Sequence, residues 1–230
     1  MTTQAPHPDL RATIAALARL YPAPAILTDP LQQVLWDNIG YLIDDDRRAA
    51  LFEEFRARVG LTPSEIERAD FETLFDLARR GGMRPETRVQ RWRDIAALVQ
   101  IRAGGDLAGA LANIAPAKAR ALLKAFPTIG APGADRILLF AGLAARASLE
   151  SNGVRALARL GFFTEQRDYA ASYRAAIEVL ASQGAADRDW LITAYQALRA
   201  HGQALCKRTA PLCLRCSLDD TCAHAVVSAL

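Results

Sequence analysis

The sequence predicts an all-α protein. Apolar side chains recur at helical spacing along most of its 230 residues, and no segment shows the alternation of apolar and polar residues that indicates a strand. Prolines, glycines and capping residues separate the apolar stripes at intervals that fit short helices. With 51% hydrophobic residues, the chain can form one large core or two modest ones.

The order of the predicted helices follows from these stripes and their breaks. The first stripe runs from Leu10 to Tyr21 and is stopped by Pro22. The second helix starts after Thr28, with Asp29 or Thr28 as the cap and Pro30 in the first turn. Later helices are predicted over about residues 46–59, 63–67 and 70–78, an arginine-rich segment after residue 82, and then about 107–111, 116–125, 133–143, 148–160, 169–180 and 190–198.

Positive charge is concentrated in one segment although the net charge is only +3. Six arginines and a single Glu86 lie between Arg79 and Arg93, and Arg84, Arg88 and Arg91 have the spacing of one helical face. Acidic residues gather around residues 44–54, which predicts that the two signs of charge are segregated. An arginine stripe of this kind is typical of a phosphate-binding surface and also of an ordinary solvated face.

A tight turn interrupts the helices at Phe126-Pro-Thr-Ile-Gly-Ala-Pro-Gly133. Two glycines and two prolines in eight residues exclude a helix interior, and Ile129 between them is expected to be buried. The pattern predicts a hairpin between two helices, which is either a plain αα-hairpin or a turn that binds DNA phosphate through its backbone amides.

All four cysteines lie within 17 residues near the C-terminal end, with the spacing C-x6-C-x2-C-x5-C. Four thiolates can hold a tetrahedral metal ion or a cubane iron–sulfur cluster. Disulfides need an oxidising compartment, and the segment Met-Thr-Thr-Gln-Ala-Pro-His lacks the features of a signal peptide. Structural zinc stays open, although zinc sites usually pair two short knuckles and only one is present here. The four cysteines are Cys206, Cys213, Cys216 and Cys222.

This spacing, preceded by His201-Gly202, resembles the [4Fe-4S] loop of the endonuclease III and MutY-type DNA glycosylases, the HhH-GPD superfamily with a helix-hairpin-helix motif. The resemblance implies a [4Fe-4S] cluster on the four cysteines, with His201 in a structural rather than a catalytic role. It also implies a two-lobed fold. A six-helix barrel lobe is expected over residues 28–144, with its hairpin at about 126–133, and a cluster lobe over residues 1–27 and 145–230, with the cluster loop at 206–222.

The resemblance also implies a site in a cleft between Pro132 and Glu150. Glu150 aligns with the family's essential aspartate, and a carboxylate there would stabilise positive charge on the sugar or activate water. An ordinary acidic residue in the first turn of a helix is the alternative for Glu150. Pro132 stands where the bifunctional members carry a lysine that attacks the sugar, so efficient lyase activity is expected to be absent. Thr128 replaces the usual first glycine of the hairpin.

Contacts with DNA follow from the same resemblance. The hairpin residues expected to bind DNA are Thr128, Ile129, Gly130, Ala131 and Gly133. The base pocket is expected at Trp36, Asn38 and Tyr41, although core packing is an equal alternative for the two aromatic side chains. Phosphate contacts are expected from Arg84, Arg88, Lys124, Arg136, Lys207 and Arg208.

The predicted function is therefore DNA base-excision repair. We expect a monofunctional N-glycosylase that flips a damaged or mispaired base out of double-stranded DNA and hydrolyses its glycosidic bond. The alternatives are a catalytically silent, lesion-sensing DNA-binding protein of the same fold, and a bifunctional glycosylase and AP lyase that uses another amine. A monomer in the cytoplasm, associated with the nucleoid and without a membrane partner, is expected.

Overall fold

The structure is a computed structural model that describes residues 9–184 and 187–228, and within those ranges it contains helices and no strand. The all-α class predicted from periodicity is confirmed. The α-helices of the described residues are α1 (Leu10–Leu20), α2 (Pro30–Asn38), α3 (Asp45–Arg58), α4 (Pro63–Arg68), α5 (Phe71–Arg80), α6 (Pro85–Ala103), α7 (Leu107–Ala112), α8 (Pro116–Leu123), α9 (Ala131–Phe140), α10 (Ser151–Arg159), α11 (Tyr169–Gly184), α12 (Arg188–Ala204) and α13 (Ala223–Ser228). Two short 3₁₀ helices, Cys213–Arg215 and Asp219–Thr221, precede α13. Within the described ranges, no helix is both long and apolar enough to cross a membrane.

Capping residues set the N-terminal ends of most helices. The predicted start of α2 is confirmed, because the Asp29 side chain accepts a hydrogen bond from the Gln32 amide at 2.8 Å and Pro30 opens the helix. At α4, Thr62 and Glu65 form a reciprocal capping box. Caps of this kind stabilise a helix by about 1 kcal/mol each, because they satisfy amides that have no partner within the helix. Aspartate also caps α1, α3, α5, α7 and α12.

The chain divides into two compact units, Ile26–Ala144 and the described residues of Met1–Ala25 with Ala145–Leu230. We call the first the hairpin unit and the second the cysteine unit. In the hairpin unit, α6 carries the fully buried Trp92, whose ring packs edge-on against Phe55 at 4.8 Å. The Trp92 indole N–H donates to the carbonyl oxygen of Asn38 at 3.2 Å, which ties α6 to the end of α2.

In the cysteine unit, α12 packs against both α10 and α1. The packing of α12 on α10 depends on Gly202, since a Cβ atom there would lie 2.5 Å from the Asn152 carbonyl oxygen. Leu157 of α10 and Leu198 of α12 are fully buried. The end of α12 and the start of α10 are thereby held side by side, which positions the residues described below.

Some arginines of the hairpin unit bind the carbonyl oxygens at helix ends. Arg93 donates to the carbonyl oxygens of Ile66, Glu67 and Ala69 at the end of α4. Arg48 donates to the carbonyl oxygen of Trp36 in the last turn of α2 at 3.1 Å and to that of Gly40, just after the helix, at 3.2 Å. Carbonyls at helix C-termini lack partners within the helix, and a cation there is also favoured by the helix dipole.

The predicted segregation of charge is wrong for the basic residues of α5. Arg80 pairs with Glu54 of α3 at 2.5 Å, and Arg79 pairs with Asp76 at 2.6 Å. Arg58 joins the same network through both acidic residues. These arginines and acids lie on one surface because α3 and α5 pack together, which the linear order of the charges does not reveal.

Candidate active site and metal centre

The four cysteines line one small, open cavity that follows the end of α12. All four thiols are free, and Cys222 is the most buried of them. Leu205, Pro211 and Leu212 supply the apolar part of the cavity wall. Among the described residues, no group of three or more His, Cys, Asp or Glu side chains is arranged to hold a metal ion. The four cysteines nevertheless line the same cavity, and four thiolates are chemically the ligand set of an iron–sulfur cluster or a tetrahedral ion.

Burial raises the pKa of the Cys206 and Cys216 thiols. For Cys206 the guanidinium of Arg159 acts in the opposite direction, through its hydrogen bond and its charge. Thiols with raised pKa values stay protonated at neutral pH, so a metal or cluster that binds here must displace their protons.

Two arginines of α10 hold the first part of the cysteine loop. Arg155, only 6% exposed, donates to the carbonyl oxygens of Gly202 at 2.9 Å and Cys206 at 3.0 Å. Arg159 donates to the carbonyl oxygens of Lys207 and Arg208 at 2.7 and 3.1 Å, and its Nη1 lies 3.7 Å from the Cys206 sulfur. The loop is therefore anchored to α10 through its backbone, whatever its side chains bind.

His201 is 3% exposed and lies between a tyrosine and the cysteine loop. Its Nδ1 is 3.2 Å from the Tyr21 hydroxyl, and its Nε2 is 4.0 Å from the Cys216 sulfur. Burial lowers the pKa of His201, so the ring is neutral at pH 7. This environment agrees with the structural role expected for His201.

Glu150 is the N-terminal cap of α10, and it is half-buried. One carboxylate oxygen accepts from the Gly153 amide at 2.8 Å, and the other accepts from the Asn152 side-chain amide at 2.8 Å. The side-chain carbonyl oxygen of Asn152 in turn accepts from the Arg155 guanidinium at 2.8 Å. Glutamate is not among the residues usually preferred at this position, and here its longer side chain still reaches the third residue of the helix. Glu150 therefore caps α10, as an ordinary acidic residue at a helix start can. In addition, Asn152, which is itself held by Arg155, fixes the second carboxylate oxygen.

Sequence reasoning missed Asn152, which connects Glu150 to Arg155. No sequence motif marks Asn152, and its role follows only from its hydrogen bonds to Glu150 and Arg155 in the structure.

The hairpin adopts the turn predicted for residues 126–133. Ile129 is 4% exposed, and its amide donates to the Phe126 carbonyl oxygen at 3.2 Å. Thr128 and Gly130 are exposed, and α9 begins at Ala131 with Pro132 in its first turn. Proline is well accommodated there because its missing N–H would have no partner inside the helix. Gly133 follows in the same turn.

Thr128 has φ 64°, in the left-handed region that a β-branched residue rarely adopts. We expect Thr128→Gly to stabilise the protein by about 1 kcal/mol, because glycine has no Cβ to strain this backbone. The free energy of unfolding in urea measures the effect. Thr128→Ala is the matched control and should gain less, because it keeps the Cβ and loses only the branch. A glycine variant no more stable than the native chain would contradict this explanation.

The structure contradicts Arg136 as a phosphate contact. Its two terminal nitrogens donate to both carboxylate oxygens of Asp37 at 2.9 and 3.1 Å, and its side chain is 13% exposed. Lys124, which directly follows α8, is exposed and stays a predicted contact, as do the exposed Lys207 and Arg208 of the cysteine loop.

The structure also contradicts Arg88. It is 4% exposed, and its guanidinium donates to the carbonyl oxygens of Ala78, Gly82 and Met83. Arg84 is exposed just before α6 and stays a predicted contact. The i, i+4 spacing predicted one helical face for both arginines, but Arg84 precedes α6 with φ 58°, and the end of α5 and the loop after it bind Arg88.

Of the three residues predicted for the base pocket, Asn38 is buried and Trp36 is half-buried against the core. Asn38 is 3% exposed, and its amide donates to the carbonyl oxygens of Val34 and Pro127. Trp36 packs edge-on against Phe52 at 5.4 Å, which is the core alternative. Tyr41 is 57% exposed and stays available.

The chain is similar to known proteins in sequence and in fold. No protein-family model matches the chain. The chain is 26% identical to the endonuclease III of Sulfolobus acidocaldarius over 174 residues, which are 75% of this chain and 72% of that protein. Its fold matches that of a trapped endonuclease III–DNA covalent intermediate with TM-score 0.76 and 16% identity, over 99% of this chain and 100% of the other. It also matches a thermostable thymine-DNA glycosylase with TM-score 0.74 and 13% identity, over 94% and 95% of the two chains. The resemblance predicted from the cysteine spacing is confirmed.

Proposed function

We propose that this chain, which resembles endonuclease III in sequence and has its fold, is a monofunctional DNA N-glycosylase. In the proposed reaction, a damaged or mispaired base leaves the duplex and its N-glycosidic bond is hydrolysed. The hydroxyl of a water molecule adds to the anomeric carbon C1′ of deoxyribose, and the remaining proton goes to the departing base. The protein is proposed to act as a monomer on nucleoid DNA in the cytoplasm.

The observation that carries this proposal is the fixed carboxylate of Glu150. Both of its oxygens accept hydrogen bonds at 2.8 Å, and the side chain is only partly open to solvent. Breaking a glycosidic bond builds positive charge on the sugar, and a preorganised negative group stabilises that charge or removes a proton from the attacking water. Because the hydrogen bonds hold the carboxylate before substrate arrives, little reorganisation is needed during the reaction.

The absence of a suitable amine supports hydrolysis rather than lyase chemistry. Pro132 has no side-chain nitrogen at the position where bifunctional relatives are expected to carry lysine. The chain has three lysines, Lys118, Lys124 and Lys207, all exposed and none adjacent in sequence to Glu150 or Pro132. We therefore expect no covalent adduct with DNA after borohydride treatment.

Two loops of the hairpin unit supply apolar side chains that could enter the DNA stack. Tyr41 and Leu42 follow α2, Met83 precedes α6, and the three are 57, 80 and 65% exposed. The Tyr41 amide donates to the Gly81 carbonyl oxygen at 2.8 Å, which joins the loops. Apolar side chains on a braced loop can separate bases and hold an unpaired nucleotide outside the stack. The hairpin amides and Lys124 would contribute sequence-independent phosphate binding.

The cysteine loop is proposed to hold a [4Fe-4S] cluster through Cys206, Cys213, Cys216 and Cys222. When bound, a cluster would supply four iron–sulfur bonds that stiffen residues 206–222, and it is redox-competent in principle. Arg155 and Arg159 already bind the loop backbone without it. Iron and acid-labile sulfide of about four atoms each per chain would support the cluster over zinc.

The function is tested with duplexes that carry oxidised, alkylated, deaminated or mispaired bases. Strand breaks that appear only after alkali indicate a monofunctional glycosylase, which is the expected result. Breaks without alkali, together with a borohydride-trapped adduct, would indicate a lyase. Binding without any break, across the whole panel, would favour a lesion-sensing protein and overturn the proposal.

A further inference from the structure

The ring of Tyr169 is an exposed aromatic surface in the cysteine unit. It is the first residue of α11 and is 46% exposed, whereas Tyr173 and Tyr195 of the same unit are 6 and 7% exposed. Its ring stacks on that of Tyr173, with centroids 6.4 Å apart and an interplanar angle of 28°. The exposed ring therefore rests on a buried one.

The charge of Glu150 reaches this ring. Burial, and to a smaller extent the negative charge of Glu150 and that of Tyr195 when it is ionised, raise the pKa of Tyr169 to about 12. Helices α10 and α11 pack together, and Glu150 and Tyr169 stand at the N-terminal ends of these two helices. The phenol therefore stays neutral at physiological pH.

The backbone around Tyr169 is held by hydrogen bonds. The Asp168 side chain accepts from the amides of Ala170 and Ala171 at 3.2 and 3.1 Å. The Ser172 hydroxyl accepts from the Gln166 amide at 2.8 Å and donates to the Gln166 carbonyl oxygen at 3.2 Å. The start of α11 is therefore a fixed support for the ring.

An extruded nucleobase loses its stacking partners and needs an apolar surface next to the reacting bond. Asn38 is buried, and the half-buried ring of Trp36 packs against Phe52. We propose that Tyr169, supported by Tyr173, is the surface on which the extruded base stacks while Glu150 acts on its glycosidic bond. This inference rests on the proposed function and identifies the ligand of the surface as a planar purine or pyrimidine.

The test compares Tyr169→Ala with Tyr169→Phe on two duplexes. One carries a base cut by the native protein, and the other carries a tetrahydrofuran abasic analogue at the same place. Stacking of a base on an aromatic side chain corresponds to about 5- to 150-fold in affinity. We expect Tyr169→Ala to lose that factor on the base-containing duplex only, and Tyr169→Phe to keep the native affinity and rate.

Phe71→Ala is the matched control. Phe71 also begins a helix after a capping aspartate, is 54% exposed and stacks on the aromatic residue four positions later, with centroids 5.5 Å apart. It belongs to the hairpin unit and not to the unit that contains Glu150. An equal loss from Phe71→Ala, or an equal loss from Tyr169→Ala on both duplexes, would overturn the inference.

A second readout does not depend on excision. A duplex with 2-aminopurine in a mispair is bound to the native protein and to Tyr169→Ala, and its fluorescence is measured. The inference requires weaker 2-aminopurine fluorescence in the native complex than in the alanine complex, because the base stacks on the ring only in the native protein. Equal fluorescence in the two complexes would refute it. If no duplex in the panel is cut, the proposed function fails and this measurement still decides the role of Tyr169.

Discussion

Replacing Glu150 with glutamine is expected to slow base excision by about 10²- to 10⁴-fold, the range that a positioned acid–base group contributes. Glutamine keeps the shape of the side chain, and its carbonyl oxygen can still accept from the Gly153 amide. It loses the negative charge, and its NH₂ group would face the Asn152 amide, which now donates to Glu150. Single-turnover excision from a duplex cut by the native protein measures the effect.

Two comparisons separate catalysis from folding at this position. Glu150→Asp keeps the charge and is a favoured cap, but it moves the carboxylate by one methylene. We expect its rate to lie between those of the native protein and the glutamine variant. Duplex affinity should persist in all three proteins, because a carboxylate does not attract phosphate. Excision at the native rate by Glu150→Gln would remove Glu150 from the mechanism.

Replacing Arg155 with methionine is expected to destabilise the protein by about 3 kcal/mol, because one buried and two partly buried acceptors lose their donor. These acceptors are the carbonyl oxygens of Gly202 and Cys206 and the side-chain oxygen of Asn152. The loop would lose its anchor, and the iron content should fall with it. Denaturant unfolding and iron analysis of the purified variant measure the two effects.

Arg174→Met is the control for Arg155→Met, since Arg174 is exposed on α11 and its replacement should change stability by less than about 0.5 kcal/mol. Arg155→Lys should be intermediate, because an ammonium group lacks the planar fork that reaches several carbonyls at once. The same denaturation midpoint for the native protein and Arg155→Met would show that the loop does not need this anchor. An excision rate that falls more than the iron content would indicate that Asn152 also needs Arg155 to hold Glu150.

Local signals in the sequence predicted the elements and their ends well. The start of α2 at Asp29 and Pro30 depends on groups within a few residues of one another, so the chain can specify it without its tertiary contacts. The hairpin was predictable for the same reason, since its glycines and prolines exclude a continuous helix. The unusual backbone at Thr128 was signalled by a threonine at a position where glycine is expected.

The side-chain environments were less predictable. Periodicity placed Arg84 and Arg88 on one helical face, but the carbonyl oxygens of Ala78, Gly82 and Met83 bind one of them and leave the other exposed. Asn38 and Trp36 lie in a segment that resembles a base-reading helix, yet both side chains pack inward. Tyr169 showed only the spacing of an amphipathic helix, and nothing local relates it to Glu150.

The sequence by itself determined the helical class, the four sulfur donors in one loop, the carboxylate of Glu150 and the lack of an amine at Pro132. These are properties of residue identity and of near neighbours along the chain. Only the tertiary structure decided which arginines are exposed, that Asn152 and Arg155 connect Glu150 to the cysteine loop, and that the helix with the exposed Tyr169 packs against the helix that Glu150 caps. The physical reason is that burial and hydrogen bonding depend on groups distant in sequence, and these groups meet only when the helices pack.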